Sequence, residues 1–226
     1  MLKALVLDFD GVIVDTEVEW YYIYRDWLKK NYLYDLQIKD YLVCVGANSE
    51  SLFSFIEQEL GANVPIREFE KTAMEEFIKR TNKLPAMDGV EKLLKEAKEK
   101  GLKIAIATSA TRKKPYTHLK RLHLIEYFDA LSTAELSENI KPAPDIFLKA
   151  AELLKCKPEE CLAIEDSLNG LIAAQRANMP CLIVPNRITE NSKFEGYYQK
   201  VSSLKDINLQ GIIDDFQNKD KGESLC

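Results

Sequence analysis

Short apolar runs recur along the chain and predict buried strands. Four of them cover residues 2–7, 102–107, 161–164 and 181–184, with little alternation of polar and apolar positions. Runs of this kind are typical of strands that are buried on both faces, as in a parallel sheet. Residues 129–131 form a weaker candidate for a further strand.

Helical patterns separate these runs. Residues 91–100 carry two leucines and an alanine on one face, and Gly101 follows as a helix stop. Other helices are predicted to begin at Asp145 and to cover residues 171–177. Alternating strands and helices predict the α/β fold class, with a Rossmann-like, doubly wound parallel sheet as the core.

Residues 15–84 break this alternation. The region has no apolar run suited to a buried strand, and it contains three helical stretches, at residues 17–31, 51–60 and 66–81. We therefore expect a small all-helical domain inserted after the first strand, and a core made of residues 1–14 and 85–226. Pro85 marks the second boundary, because proline disfavours a helical residue before it. The polar residues from 213 onward are expected to fray.

Aromatic residues are concentrated in the first helical stretch of this insertion. Trp20, Tyr24 and Trp27 share one helical face with Ile23. Such a stripe usually packs helices together, but one or two of its rings could instead face a ligand. The sequence leaves both interpretations open.

Composition excludes several classes of function. The 226 residues are 46% hydrophobic, which is enough for a sizeable core, and no run approaches the length of a membrane span. A net charge of −5 provides no positive field to hold nucleic acid or an anionic membrane. The five cysteines lack a CxxC spacing, so we expect reduced thiols in a cytoplasmic protein. We expect a monomer.

Two acids follow the first apolar run directly. Asp8 and Asp10 are two residues apart, so an extended chain projects both to one side, about 6.6 Å apart. At the carboxyl end of a strand, where α/β sheets bind ligands, such a pair can hold a divalent cation. Alternatively, one acid is a nucleophile and the other transfers protons. By itself, the pattern fits two solvated acids equally well.

A hydroxyl group follows the second apolar run. Thr108, Ser109 and Ala110 come directly after it. A hydroxyl and free backbone N–H groups at a turn from strand to helix favour a phosphate cradle. The same residue types also cap helices without any ligand.

A lysine and two further acids complete the candidate chemistry. Lys141 precedes two prolines that stiffen its segment, although an isolated lysine is usually a surface residue. Glu165 and Asp166 follow the run at residues 161–164. Their carboxylates are hard oxygen ligands suited to Mg²⁺.

In this order, the acids, hydroxyl, lysine and acids resemble the four motifs of the haloacid dehalogenase-like hydrolase superfamily. The stretches DFDGVIVDT, ATSA, KPAPDIFLKAA and IEDSLNGLIAAQRANM are similar to the branch that contains β-phosphoglucomutase and small sugar-phosphate phosphatases. The resemblance extends to about residue 205, and the insertion resembles that branch's helical cap domain. It implies a Mg²⁺-dependent phosphatase acting on a small phosphorylated metabolite.

The resemblance also implies a role for each motif residue. Asp8 is expected to attack phosphorus and form an aspartyl-phosphate, while Asp10 acts as general acid and then as general base. The implied Mg²⁺ ligands are Asp8, the backbone carbonyl of Asp10, Asp166, and Glu165 directly or through water. The implied phosphate-binding groups are Thr108, Lys141 and the backbone N–H groups of Ser109 and Ala110.

Some positions depart from the relatives within this superfamily. Its dehalogenases lack the second acid of the first motif, so Asp10 argues against dehalogenation. Trp20 stands where β-phosphoglucomutase has a cap histidine, and Asn48 aligns with an arginine that grips the distal phosphate of the mutase's substrate. Both differences favour a phosphatase, and a phosphomutase is the alternative.

Two other interpretations concern the basic stretch and the whole chain. Residues 112–121, which include His118, are interpreted as a solvated helix face, or else Arg112 contacts an anionic substrate. A receiver-like signalling domain also combines clustered acids, a hydroxyl and a lysine. However, the acceptor aspartate of a receiver follows a later strand, and receivers lack the helical insertion.

Overall fold

The structure is a computed structural model that describes residues 1–220. Its parallel sheet contains β1 Ala4–Leu7, β2 Lys103–Ala107, β3 Ala130–Ser132, β4 Cys161–Glu165, β5 Cys181–Ile183 and β6 Gln199–Lys200. The strands lie in the order β3-β2-β1-β4-β5-β6, and every neighbouring pair is parallel. This order reverses at β1, as in a doubly wound sheet, so the predicted fold class is confirmed.

Helices connect and cover the strands. They are α1 Glu17–Tyr32, α2 Ile38–Tyr41, α3 Glu50–Leu60, α4 Ile66–Thr81, α5 Val90–Glu99, α6 Lys113–Arg121, α7 Asp145–Leu154, α8 Leu168–Arg176 and α9 Leu209–Asp220. Helices α1 to α4 lie between β1 and α5 in the chain, within the predicted insertion. Across residues 1–220, no helix has both the length and the apolar character needed to cross a membrane.

The central strands are buried on both faces because helices cover both sides of the sheet. Leu5 and Leu7 of β1 pack into a cluster with apolar residues of α5 and α9. Ala4 and Val6 pack into a second cluster with residues of α7 and α8. Apolar residues are therefore needed at every position of β1, which explains why the sequence shows no alternation there.

The C-terminal part of the described chain is ordered into a helix. Residues 213–220 belong to α9, so the prediction that this stretch frays is wrong for them. Ile212 and Phe216 lie four residues apart and are both buried, and they dock the helix on the core. Residues 221–226 lie outside the described residues.

Helices α1 to α4 share an aromatic cluster. The ring of Trp20 stacks on Phe77 with a centroid separation of 4.3 Å, and Trp27 stacks on Phe69 at 4.1 Å. Ile188, from the loop after β5, packs into the same region. The aromatic stripe therefore packs these helices together, which was the first of its two interpretations.

Candidate active site

The carboxyl ends of β1, β2 and β4 meet at one edge of the sheet. Leu7, the last residue of β1, pairs with Ile106 of β2 and with Ile164 of β4. Parallel strands in this register deliver the segments that follow them to the same place. The first residues after these three strands are Asp8, Thr108 and Asp166.

Lys141 joins this edge from the loop before α7. Its Nζ lies 2.5 Å from Asp8 Oδ1 and 2.5 Å from Glu165 Oε1, and its side chain is fully buried. Burial alone lowers the pKa of the Lys141 ammonium, but the two carboxylates outweigh burial and raise this pKa above its usual value. Lys141 is therefore a fixed positive charge at the base of the site.

Three buried carboxylates lie around that ammonium. Asp8, Glu165 and Asp166 each place a carboxylate oxygen within 4.8 Å of the others. Burial raises the pKa of Asp8 to about 8, although Lys141 opposes this rise. Burial, together with the charges of Glu165 and Asp8, also raises the pKa of Asp166. Three acids facing one buried ammonium leave an excess of negative charge, and this set of hard oxygen donors fits Mg²⁺.

Neighbouring groups hold these carboxylates in place. Glu165 Oε2 accepts hydrogen bonds from the backbone N–H groups of Asp166 and Ser167, at 3.0 and 3.1 Å. The amide of Asn186 donates to Asp166 Oδ2 at 2.6 Å. Gly11 has a φ of +81°, and a Cβ at this position would overlap the carboxylate of Asp166. Only glycine satisfies both conditions at residue 11.

Asp10 lies nearer the opening of the site. Its Oδ1 accepts a hydrogen bond from the hydroxyl of Thr16 and lies 2.5 Å from Lys114 Nζ. Lys114 belongs to α6, and its ammonium also lies 5.0 Å from the ring centre of Phe77 in α4. The candidate acid–base residue therefore has a cationic partner that was not assigned from the sequence.

The loop after β2 connects the sheet edge to the helical region. Thr108 is buried, and its Oγ1 accepts a hydrogen bond from the backbone N–H of Ala110 at 3.1 Å. The hydroxyl of Ser109 donates to the backbone carbonyl of Gly46, between α2 and α3, at 2.9 Å. Thr108, Ser109 and Ala110 line the same cleft as Asp8, and their role as a phosphate cradle stays a prediction.

A cleft of about 290 Å³ separates the sheet edge from helices α1 to α4. The sheet side of its lining includes Asp8, Asp10, Thr108, Ser109, Ala110 and Lys114. The opposite side includes Glu17, Trp20, Tyr24, Tyr41, Asn48, Ser49 and Glu70. Trp20 and Tyr24 line the cleft as well as packing the helices, and the second interpretation of the stripe, that a ring faces a ligand, stays a prediction.

Four residues of the site were missed from the sequence, namely Glu17, Glu70, Lys114 and Asn186. The interpretation of residues 112–121 as a solvated helix face is wrong for part of the stretch. His118 is buried, with its ring 5.7 Å from that of Phe9, and Lys114 faces Asp10. Arg112 is exposed and does not line the cleft. The spacing of Lys114 and His118, four residues apart, was the available signal that both share the inward face.

The family model described as haloacid dehalogenase-like hydrolase matches residues 5–184. This chain belongs to that family. The hydrolase has a Bacillus subtilis (strain 168) relative named "Putative phosphatase YhcW", which is 37% identical over 215 residues, covering 95% of this chain and 97% of the relative. A Thermotoga maritima relative named "Phosphorylated carbohydrates phosphatase" is 30% identical over 182 residues, covering 79% and 82% of the two chains.

Solved structures show the same fold. The β-phosphoglucomutase of Clostridium difficile superposes on the hydrolase with a TM-score of 0.81 at 23% identity, covering 98% of this chain and 100% of that chain. This likeness concerns the fold alone. The family match and the phosphatase names of the curated relatives confirm the predicted family and the predicted enzyme class, a phosphoric monoester hydrolase.

Proposed function

We propose that the hydrolase is a Mg²⁺-dependent phosphatase that cleaves a small phosphomonoester, a sugar phosphate, through an aspartyl-phosphate. The observation that carries this proposal is the placement of Asp8. Its carboxylate lines the cleft and is held 2.5 Å from the buried ammonium of Lys141. A nucleophile, a fixed cation and an acid cluster thus converge where a phosphoryl group can enter.

In the first step, Asp8 attacks phosphorus and the ester oxygen leaves. Asp10 protonates that oxygen, which avoids the release of an alkoxide. Lys141 and the hydroxyl of Thr108 bind the phosphoryl oxygens, assisted by the backbone N–H groups of Ser109 and Ala110. These groups position the phosphoryl group and neutralise its charge, on which phosphoryl transfer mainly depends.

In the second step, water attacks the phosphorus of the aspartyl-phosphate. Asp10 has delivered its proton, so its carboxylate now accepts one from the water. Inorganic phosphate leaves and Asp8 is regenerated. One residue therefore serves both half-reactions, as a covalent intermediate allows.

The buried acids fit Mg²⁺, because they supply only hard oxygens and carry excess negative charge. We propose Asp8 and Asp166 as direct carboxylate ligands, together with the backbone carbonyl of Asp10. Glu165 acts through water, since Lys141 and the backbone N–H of Ser167 already occupy its two oxygens. When bound, the ion would neutralise negative charge on the nucleophile and on the phosphoryl oxygens, and so reduce the repulsion between them.

We further propose that residues 15–84 form a cap domain on the core made of residues 1–14 and 85–226. The hydrogen bond from Ser109 to the carbonyl of Gly46 supports a closed arrangement, in which water is excluded during the first step. A sugar phosphate is supported by the name of the Thermotoga relative and by the polar groups on the cap side of the cleft.

The alternative, a phosphomutase, needs a cation in the cap for a distal phosphate. Lys29, Lys30 and Lys39 are exposed and do not line the cleft. Among the described residues, Lys114 is the one basic side chain in the lining, and it already pairs with Asp10. Water is therefore the expected acceptor.

A screen of phosphorylated metabolites with Mg²⁺ tests the proposal. Both phosphate release and the organic product are measured over many turnovers. Sustained release of inorganic phosphate is the expected result. A single stoichiometric phosphorylation without turnover would indicate the receiver-like alternative.

A further inference from the structure

The cap side of the cleft, formed by helices α1 to α4 and the loops between them, contains two glutamates whose role is not explained by the phosphoryl chemistry. We propose that Glu17 and Glu70 form a leaving-group site that binds hydroxyl groups and rejects a second anionic group. The substrate class is then a sugar or polyol monophosphate that is neutral apart from its phosphate. This inference rests on the proposed phosphatase function and narrows its substrate.

Hydroxyl groups of the cap fix the two carboxylates. Tyr24 and Ser49 both donate to Glu70 Oε1, each at 2.6 Å. Tyr41 donates to Glu17 Oε2 at 3.0 Å. Within residues 1–220, the other oxygen of each glutamate has no hydrogen-bond partner. Both glutamates line the cleft, and we infer that the second oxygen of each is the one that meets a ligand there.

The leaving-group site offers hydrogen-bond acceptors to a ligand and few donors. A tyrosine or serine hydroxyl has one proton, and Tyr24, Tyr41 and Ser49 give theirs to the carboxylates. A sugar or polyol brings the donors that these free oxygens need. A second phosphate or a carboxylate brings acceptors alone, so the glutamate oxygens and the oxygens of that anionic group would all lack a hydrogen-bond donor.

The charges that line the cleft also disfavour a second anionic group on the substrate. The charged side chains lining the cleft in the described chain are four acids and one cation, Lys114, whose ammonium is already bound to Asp10. Burial, followed by the charge of Asp10, raises the pKa of Glu17 to about 7, so Glu17 is ionised above that pH and adds to the negative charge of the cleft there. A second anion here would meet like charges without a free counter-ion.

Two open-chain substrates test the inference. Glucitol 6-phosphate and 6-phosphogluconate have the same length and differ at the far end, where one has a CH₂OH group and the other a carboxylate. We expect kcat/KM to favour glucitol 6-phosphate by at least about tenfold. Assayed at about pH 8.5, above the raised pKa of Glu17, Glu17→Gln and Glu70→Gln, made separately, should each reduce this ratio by about fivefold or more, because each removes one repelling charge.

Glu75→Gln is the matched control, because Glu75 is exposed on α4 and the charge change is the same. In this variant, the ratio of kcat/KM for glucitol 6-phosphate to kcat/KM for 6-phosphogluconate should stay within about twofold of the wild-type ratio. The ratio compares two substrates of one preparation, so partial unfolding of a variant does not alter it. A wild-type ratio near one, or a ratio unmoved in both glutamate variants, overturns the inference.

Two further substrates extend the test. One distinguishes a site for hydroxyl groups from a site for an ammonium group, and the other distinguishes failure of this inference from failure of the proposed function. Glucosamine 6-phosphate should not exceed glucose 6-phosphate in kcat/KM, and a preference of about tenfold for the amino sugar would overturn hydroxyl binding. Hydrolysis of p-nitrophenyl phosphate, but of none of these sugar and polyol esters, overturns the inference and the proposed sugar-phosphate substrate, and leaves the proposed phosphatase chemistry intact. Failure to hydrolyse any ester overturns both.

Discussion

The ammonium of Lys114 lies 2.5 Å from the carboxylate of Asp10, although the two residues are more than a hundred positions apart in the chain. The contact joins α6 to the turn after β1, and Phe77 of α4 covers the same ammonium. Asp10 is thereby fixed from the core and from the helical region together. We therefore propose Lys114 as a positioning residue for Asp10, the proposed acid–base group.

Loss of this ion pair should reduce catalysis. We expect Lys114→Met to lower kcat/KM by about 10- to 100-fold, because a charge-assisted hydrogen bond to a half-buried carboxylate is lost. Lys114→Arg keeps the charge and should restore most of the activity. Lys113→Met, at an exposed neighbouring position, is the control. Wild-type kinetics in Lys114→Met would contradict the positioning role.

The nucleophile is tested by Asp8→Asn. The change preserves volume but removes the anionic nucleophile, so turnover should fall by at least about 10³-fold while the circular dichroism spectrum stays unchanged. Asp26→Asn, on the exposed face of α1, should retain full activity. Retention of more than a few per cent of activity in folded Asp8→Asn would exclude Asp8 as the nucleophile.

Removal of the metal should abolish activity reversibly. EDTA is expected to inactivate the enzyme, and Mg²⁺ to restore it. Ca²⁺ should not do so, because it prefers longer bonds and more ligands than Mg²⁺ and disturbs the alignment of the attack. Phosphate release from p-nitrophenyl phosphate measures each state, and full activity in EDTA would argue against the metal.

Glu17 should make stability depend on pH. Its pKa is raised from the ordinary 4.5 to about 7 by burial and by the charge of Asp10. The folded state therefore holds this proton more tightly than the unfolded chain does, and ionisation of Glu17 destabilises the fold as pH rises across that interval. Glu17→Gln removes the effect.

Urea unfolding of Glu17→Gln and wild type gives the measurement. The stability of the variant relative to wild type should increase between about pH 5 and pH 7 and then level off. Glu75→Gln, whose position is exposed, should show no such trend. A difference that is flat across this range for Glu17→Gln would contradict the raised pKa.

Product analysis separates phosphatase from phosphomutase. β-Glucose 1-phosphate, if it is a substrate, should yield free glucose and inorganic phosphate, because no free cation in the cleft lining of the described chain can hold a distal phosphate. NMR with and without a bisphosphate activator identifies the product. Glucose 6-phosphate as the main product would transfer the assignment to a phosphomutase.

Much of the fold and the base of the site could be predicted from the sequence. Asp8, Thr108 and Asp166 each follow an apolar run, and parallel strands of one sheet deliver their following segments to a common edge. Topology alone therefore brings these residues together. Lys141 required the resemblance to a known family, because an isolated lysine between loop residues has no local signature.

The parallel sheet, the helical stretches between residues 15 and 84 and the order of the motif residues could all be predicted from the chain, since each depends on local periodicity or on a strand end. Three contacts became visible in the folded molecule alone: Lys114 with Asp10, Tyr24 and Ser49 with Glu70, and Asn186 with Asp166. These pairs join elements that are far apart in the chain. Their contacts depend on how α1 to α4 pack over the sheet edge and on which face of α6 turns inward. Side-chain packing between elements sets both, and no local pattern of hydrophobic positions encodes it.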